Sequence, residues 1–335
     1  FETRPYVGLH GYRGRYQTCP QCVTDEEKRV HPMANVYSKS PGTRPEGNVG
    51  TKRENVREVR NYRHIEVRPY APNLGAEVRG IDLADGLTAD QFEEVHQAHL
   101  DQQVLFFKEQ SPIAPATQIA IGRMFGELHY HPAAPGMDGF PEVFEIHAHA
   151  GSKIANGEFW HSDVSCDELP PLGTMLQIHI LPESGGDTMF ADSYGEWDAL
   201  SDPLKAMLDG LNGIHESEHI YRGRYADRGM EDAGKVYPSA LHPIARTHPE
   251  TGRKALYVNR GFTTGIDGLA PDESDALLGF LLEHAEKVEF QIRYRWEQND
   301  MAFWDNRCVM HRALWDYWPA ERKGYRITVK GDRPV

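Results

Sequence analysis

From Phe290 to Glu297 the sequence alternates with a period of two: Phe290, Ile292, Tyr294 and Trp296 are apolar, whereas Gln291, Arg293, Arg295 and Glu297 are polar or charged. Successive side chains of a strand point to opposite faces, so this pattern commits the stretch to a half-buried β-strand. Residues 64–69 and 75–83 carry shorter alternations, 104–107 is a continuous apolar run, and 173–181 and 254–259 read as further strands. In the last strand Tyr325, Ile327 and Val329 share one face, and Arg326 and Thr328 the other. Helices are fewer. Thr88 and Gln91 make a capping box before a helix with Phe92, Val95 and Leu100 on one face. Pro115 opens a second that stops at Gly126, and helical segments follow across 197–211. Pro271 opens another, with an apolar stripe of Leu277, Leu278, Leu281 and Leu282. Residues 216–239, rich in charge and glycine, read as a loop or lid over a site. Many strands, few helices and no glycine-rich phosphate loop predict a mainly β fold with flanking helices, built on a double-stranded β-helix (jelly-roll) core.

Two distant clusters carry the chemistry. His161-Ser-Asp163 offers an imidazole nitrogen and a carboxylate oxygen which, two apart on a strand, point to one side. That is two-thirds of a two-histidine, one-carboxylate triad, a ligand set that leaves metal positions open. His311, in the run Trp304-Asp-Asn-Arg307 to Arg312, can supply the third ligand. Arg322 and Arg326 follow, and a guanidinium near a metal is an always-charged fork for a carboxylate. Taken singly, each of these residues is equally a surface histidine or a solvated arginine. Taken jointly, His161-x-Asp163, Gly185-Gly-Asp-Thr188, Trp304-Asp-Asn-Arg307, His311, Arg322 and Arg326 resemble the taurine dioxygenase family of iron(II)- and 2-oxoglutarate-dependent oxygenases, which includes the aryloxyalkanoate dioxygenases. The resemblance covers residues 62–335.

The resemblance implies roles. His161, Asp163 and His311 would bind Fe(II), and 2-oxoglutarate would chelate that metal while its distal carboxylate meets Arg322 and the Thr188 hydroxyl. With dioxygen as the third reactant, the enzyme would hydroxylate a small anionic organic substrate and decarboxylate 2-oxoglutarate to succinate. Phe159, Trp160, Val164 and Phe262 are candidates for the apolar wall. In taurine-cleaving members, a histidine matching His131 and an arginine matching Arg326 grip the sulfonate. The positions that meet the amine depart from that pattern: a tyrosine is replaced by Ala134 and an asparagine by Gly157. The expected substrate is therefore organosulfonate-like but bulkier than taurine, with alkyl sulfate esters and aryloxyalkanoates as alternatives. Two other classes remain. A metal-dependent hydrolase would not need Arg322 and Thr188 at these spacings, and a non-catalytic binding protein would not need an intact ligand set.

A formal charge of −14 argues against nucleic acid or an anionic membrane as partner. No apolar run reaches membrane-spanning length, and there is no secretory signal pattern. Four cysteines fit a reducing compartment, so a cytoplasmic enzyme is expected. The numbering opens on Phe1 rather than methionine, which leaves room for a leader upstream. Residues 1–60 differ in character, with 11 Lys/Arg against 7 Asp/Glu in a chain whose totals are 36 and 50. They read as a basic extension, an arm or partly disordered, ahead of a catalytic domain over 61–335. Within it Cys19-Pro-Gln-Cys22, flanked by His10 and His31, has the donors of a zinc site or a redox dithiol. The sequence leaves a homo-oligomer open.

Overall fold

Val104-Leu-Phe-Phe107 has no polar alternation because both faces of its strand are covered, and that double burial organises the fold. The computed structural model describes residues 60–131, 134–226, 229 and 231–335. The extension over 1–60, apart from Arg60, lies outside the described residues, and Cys19 and Cys22 with it. In chain order, β1 (Glu66–Pro69) and β2 (Ala76–Arg79) pair antiparallel, α1 (Ala89–Gln102) follows, and β3 (Val104–Phe107) returns parallel to β2. Then come α2 (Pro115–Phe125), β4 (Phe144–Ala148), β5 (Gly173–Ile180), β6 (Thr188–Asp192), α3 (Ser193–Asp198) and α4 (Asp202–Leu208). Next are β7 (Asn212–Glu216), α5 (Glu218–Tyr221), β8 (Ser239–Pro243), β9 (Ala245–Thr247), β10 (Lys254–Leu256) and β11 (Thr263–Ile266). The chain closes with α6 (Pro271–Ala285), β12 (Gln291–Tyr294), β13 (Met301–Asp305), β14 (Val309–Ala313) and β15 (Arg322–Val329). No described helix is long and apolar enough to cross a membrane.

A seven-stranded sheet runs β1-β2-β3-β13-β5-β15-β4, and a three-stranded sheet runs β12-β6-β14. Period two sorts the larger sheet's side chains. Leu105, Phe107, Met175, Phe303, Ile327 and Val329 pack under Val95, Ala98, Ile119 and Ile121 of α1 and α2. The alternate residues Phe106, Leu176, Ile178 and Trp304 meet Phe190, Ile292, Tyr294 and Val309 of the smaller sheet. That sheet's other face, through Ala191 and Met310, is covered by Leu278, Leu281 and Leu282 of α6. The α1 boundary is as expected: Thr88 Oγ1 accepts from the Gln91 backbone N–H, and the Gln91 amide oxygen accepts from that of Thr88. The fold is mostly β with few helices.

Three sequence expectations change. His161 and Asp163 do not share a regular strand: His161 makes a single antiparallel bridge to His311, and Asp163 opens a turn. The turn forms because Val164 takes φ +47, which a β-branched residue adopts only under constraint. The strand expected over 254–259 ends at Leu256, since the Asn259 carboxamide oxygen accepts from the Phe262 N–H and curls the chain. Trp160 is buried in the α6 cluster rather than walling the site.

Candidate active site

The site sits where the free edge of β14 receives the His161 segment. His161 and His311 exchange both backbone hydrogen bonds, at 3.0 and 2.8 Å, which fixes their rings with centroids 4.1 Å apart. Asp163 is brought in by the turn and pinned from two sides. Its Oδ2 accepts from Thr174 Oγ1 of β5 at 2.7 Å, and its backbone N–H donates to the Asn306 carboxamide at 3.2 Å. Asn306 is itself held by Trp304 Nε1 at 3.0 Å and donates to Thr174 at 2.9 Å. The turn between β13 and β14 therefore works as a bracket for the carboxylate.

His161, Asp163 and His311 each offer one donor atom, all within 4.8 Å of one another, and all three residues are buried. The imidazole Nε2 atoms lie 3.7 and 3.9 Å from Asp163 Oδ1, too long for hydrogen bonds. His161 Nδ1 lies 2.8 Å from the Phe159 carbonyl, so it is the protonated nitrogen of the neutral tautomer, in which Nε2 is a lone pair. Burial pushes the His311 pKa well below its ordinary value, with the neighbouring His161 adding to the effect, so that ring is neutral. Burial opposes ionisation of Asp163, but the Arg326 guanidinium beside it outweighs that and holds its carboxyl well below the usual range. Two neutral nitrogens and one carboxylate, inward-facing and dry, suit a divalent ion of the first transition row. A second group, His248, Asp305 and Cys308, is equally tight. There His248 Nδ1 accepts the backbone N–H groups of Glu250 and Thr251, so its Nε2 carries the proton and donates to Asp305 Oδ2 at 3.0 Å instead of offering a lone pair.

A cavity of about 50 Å³ opens on His161 and Asp163, lined also by His131, Phe144, Phe159, Val164, Phe262 and Arg326. Arg326 Nη1 donates to Asp163 Oδ1 at 2.8 Å. His131 accepts the Ala134 N–H at Nδ1, which leaves Nε2 as its donor when neutral. Ala134 is buried in an apolar cluster with Val164, Tyr221, Tyr225 and Phe262. Asn259 ties this wall together, donating to Ser165 at 3.0 Å and accepting from Phe262 at 2.9 Å.

Arg322 lies apart from that cavity, at the start of β15. It is 4% exposed, Nε donates to the Gly186 carbonyl at 3.0 Å, and Nη2 has no hydrogen-bond partner. Its guanidinium lies 5.6 Å from the Trp296 ring, whose Nε1 donates to Thr188 Oγ1 at 2.9 Å. A buried cation with an orphaned N–H is a receptor for an anion. The Gly-Gly motif follows from this packing. A Cβ on Gly186, at φ +74, would come within 3.0 Å of Arg322, and one on Gly185 within 2.6 Å of Asp316. Sequence reasoning missed Thr174, Tyr221, Tyr225 and the Trp296 bridge. Only Asn306 lay inside a quoted motif, and there without a role.

The model of the "Taurine catabolism dioxygenase TauD, TfdA family" matches residues 66–328. The chain is 33% identical over 278 residues to an alpha-ketoglutarate-dependent sulfate ester dioxygenase of Pseudomonas putida, covering 81% of this chain and 91% of the relative. It is 32% identical over 288 residues to the alpha-ketoglutarate-dependent 2,4-dichlorophenoxyacetate dioxygenase of Cupriavidus pinatubonensis, covering 81% and 99%. A crystal structure of a taurine dioxygenase from Burkholderia xenovorans aligns with a TM-score of 0.70 at 35% identity, over 82% of this chain and 91% of that one. With the ligand cluster and both arginines falling inside the matched region, the chain belongs to the TauD, TfdA family and is a 2-oxoglutarate (alpha-ketoglutarate)-dependent dioxygenase.

Proposed function

We propose that this enzyme uses Fe(II), dioxygen and 2-oxoglutarate to hydroxylate a small organic anion, a sulfonate or sulfate ester whose uncharged tail is bulkier than an aminoethyl group. One oxygen atom enters the substrate C–H bond and the other enters succinate, with carbon dioxide released. The observation that carries the reading is the position of Arg326, 2.8 Å from the carboxylate of the ligand cluster and in one cavity with His131. An anion gripped there has its adjacent carbon beside the ligands. The facing sheets, with helices outside them, support a jelly-roll core.

His161, Asp163 and His311 would hold the iron, which with 2-oxoglutarate supplies the activation of dioxygen. The residues of this chain do the positioning. Thr174 and Asn306 fix the Asp163 carboxylate, and the Phe159 carbonyl fixes the His161 tautomer. Arg322 would take the distal carboxylate of 2-oxoglutarate, aided by the Thr188 hydroxyl, and its dry setting makes that pair stronger than one in water. Arg326 and the Nε2–H of His131 would bind the substrate anion. Phe159, Val164 and Phe262 exclude water and offer apolar surface to the tail. Among the described residues Asp163 is the one carboxylate lining the cavity, so among them an ammonium has no acidic partner other than a metal ligand. An amine buried there would lose roughly 1–3 kcal/mol of hydrogen bonding.

The test is a panel of sulfonates, sulfate esters and aryloxyacids, with and without amines, scored by substrate-dependent succinate formation. Neutral-tailed sulfonates or sulfate esters are expected to lead. Taurine or an aryloxyacid showing the highest kcat/KM would overturn the reading.

A further inference from the structure

Beside the cavity on the ligands lies a second one of about 1040 Å³, between the segment at 145–156 and that at 223–226, with Leu314, Tyr317 and, where 2-oxoglutarate would sit, Arg322 also lining it. The two share three wall residues: Asn156, Arg224 and Tyr225. Those residues form the partition, and Arg224 fastens it. Its Nη2 donates to the Ala155 carbonyl at 2.5 Å and its Nε to Asn156 Oδ1 at 3.2 Å. Both acceptors are neutral, and no described carboxylate forms an ion pair with Arg224, so the fastening is a pair of hydrogen bonds from a charged donor to neutral acceptors rather than a salt bridge. Tyr225, the next residue, is 6% exposed and packs in the apolar cluster with Val164 and Phe262.

Size makes the partition matter. A void of about 50 Å³ has room for a few water molecules, since each needs on the order of 10–15 Å³ measured this way. That accommodates an anionic head but not a head with a tail of several carbons. Resting on the functional reading above, we propose that Arg224 is a specificity latch. When its bonds to residues 155 and 156 open, the two cavities join and the tail of a long-chain sulfate ester or sulfonate passes from the ligand side into the larger chamber along its 145–156 wall, leaving the Arg322 end to 2-oxoglutarate. With the latch shut, the site takes only short tails. Chain-length preference is thus set at Arg224, away from the anion grip and the ligands.

The experiment compares wild type, Arg224→Ala and Asn156→Asp on butyl, hexyl, octyl and decyl sulfate. It reads kcat/KM from succinate formation, and Kd by calorimetry on the anaerobic enzyme loaded with Fe(II) and 2-oxoglutarate. Loss of the latch is expected to raise the decyl-to-butyl ratio of kcat/KM at least about tenfold, the factor that a single hydrogen bond from a charged donor imposes on an opening equilibrium. Asn156→Asp turns one of those bonds into an ion pair and is expected to lower the ratio, with the Kd series moving the same way. Using a ratio cancels any uniform effect of charge or partial misfolding. Unchanged profiles in both variants, or shifts of the same sign, overturn the latch while the functional reading stands. Failure of the wild type to bind or turn over any sulfate or sulfonate overturns that reading, and the latch with it.

Discussion

Arg322→Met separates the cost of a buried charge from its use. In the protein without cosubstrate the guanidinium is buried, gives one hydrogen bond to a carbonyl and leaves Nη2 unpartnered. Burial lowers its pKa from the ordinary arginine value, the direction expected for a cation short of counter-charge. Methionine matches its apolar stem and removes the charge. Replacing a buried ion with apolar bulk is often neutral or stabilising by about 1–4 kcal/mol. The variant without cosubstrate should therefore unfold in denaturant no earlier than wild type. Binding should move the other way. A charge-assisted hydrogen bond is worth about 1.5–3 kcal/mol, so losing the pair to the distal carboxylate weakens 2-oxoglutarate roughly 10- to 150-fold. In calorimetry the Kd should rise by that factor. In thermal scans, 2-oxoglutarate at a hundred times the wild-type Kd should stabilise wild type by about 2.7 kcal/mol and the variant by much less. A variant that unfolds early yet binds 2-oxoglutarate normally would refute the reasoning and make Arg322 a structural residue.

The other predictions touch different parts of the molecule. His161→Ala and His311→Ala should each abolish 2-oxoglutarate-dependent oxygen uptake while the circular dichroism spectrum stays intact; normal uptake by either folded variant would break the triad assignment. Arg326→Ala should raise KM for the primary substrate and leave KM for 2-oxoglutarate within a few-fold, the reverse of the Arg322 pattern, and identical patterns would dissolve the division of roles. Acid stability should depend on His99, whose two ring nitrogens are buried without hydrogen-bond partners and whose ring stacks 3.8 Å from Phe303. Burial lowers its pKa to about 4, against the opposing pull of Asp305, so between pH 6.5 and 4 the unfolded chain binds the extra proton and stability falls with pH. His99→Phe should flatten that fall, by an amount on the order of 3 kcal/mol across the window; an unchanged pH–stability profile would show that His99 is protonated in the fold.

The strands with strict alternation were legible because their faces meet different neighbours, and β12 and β15 lie where the pattern put them. The ligands and both arginines were legible for another reason: chemistry fixes residue type at those positions, so the types survive as a spaced pattern. Supporting contacts leave no such trace. Thr174 serves Asp163 from the next strand and Asn306 from a turn 143 residues on, and neither role follows from a threonine or an asparagine read alone. Trp296 reads as a core residue from its alternation, and it is buried, but its indole N–H also spans toward Thr188. The error over residues 161–163 has a local cause. Alternation assumes extended backbone, and nothing in Asp-Val-Ser announces that Val164 bends the chain at positive φ.

That bend limits how freely the enzyme can change. A β-branched residue in the left-handed region costs on the order of 1–3 kcal/mol, a sizeable share of the 5–15 kcal/mol that separates a typical native domain from its unfolded chain. Glycine would relieve the strain at once, but it would also remove the methyl groups that wall the cavity and loosen the turn that presents Asp163. The position thus trades robustness for shape. With the valine in place the fold is expected to tolerate fewer destabilising substitutions elsewhere, and Val164→Gly should rescue unrelated folding mutants while blurring substrate choice.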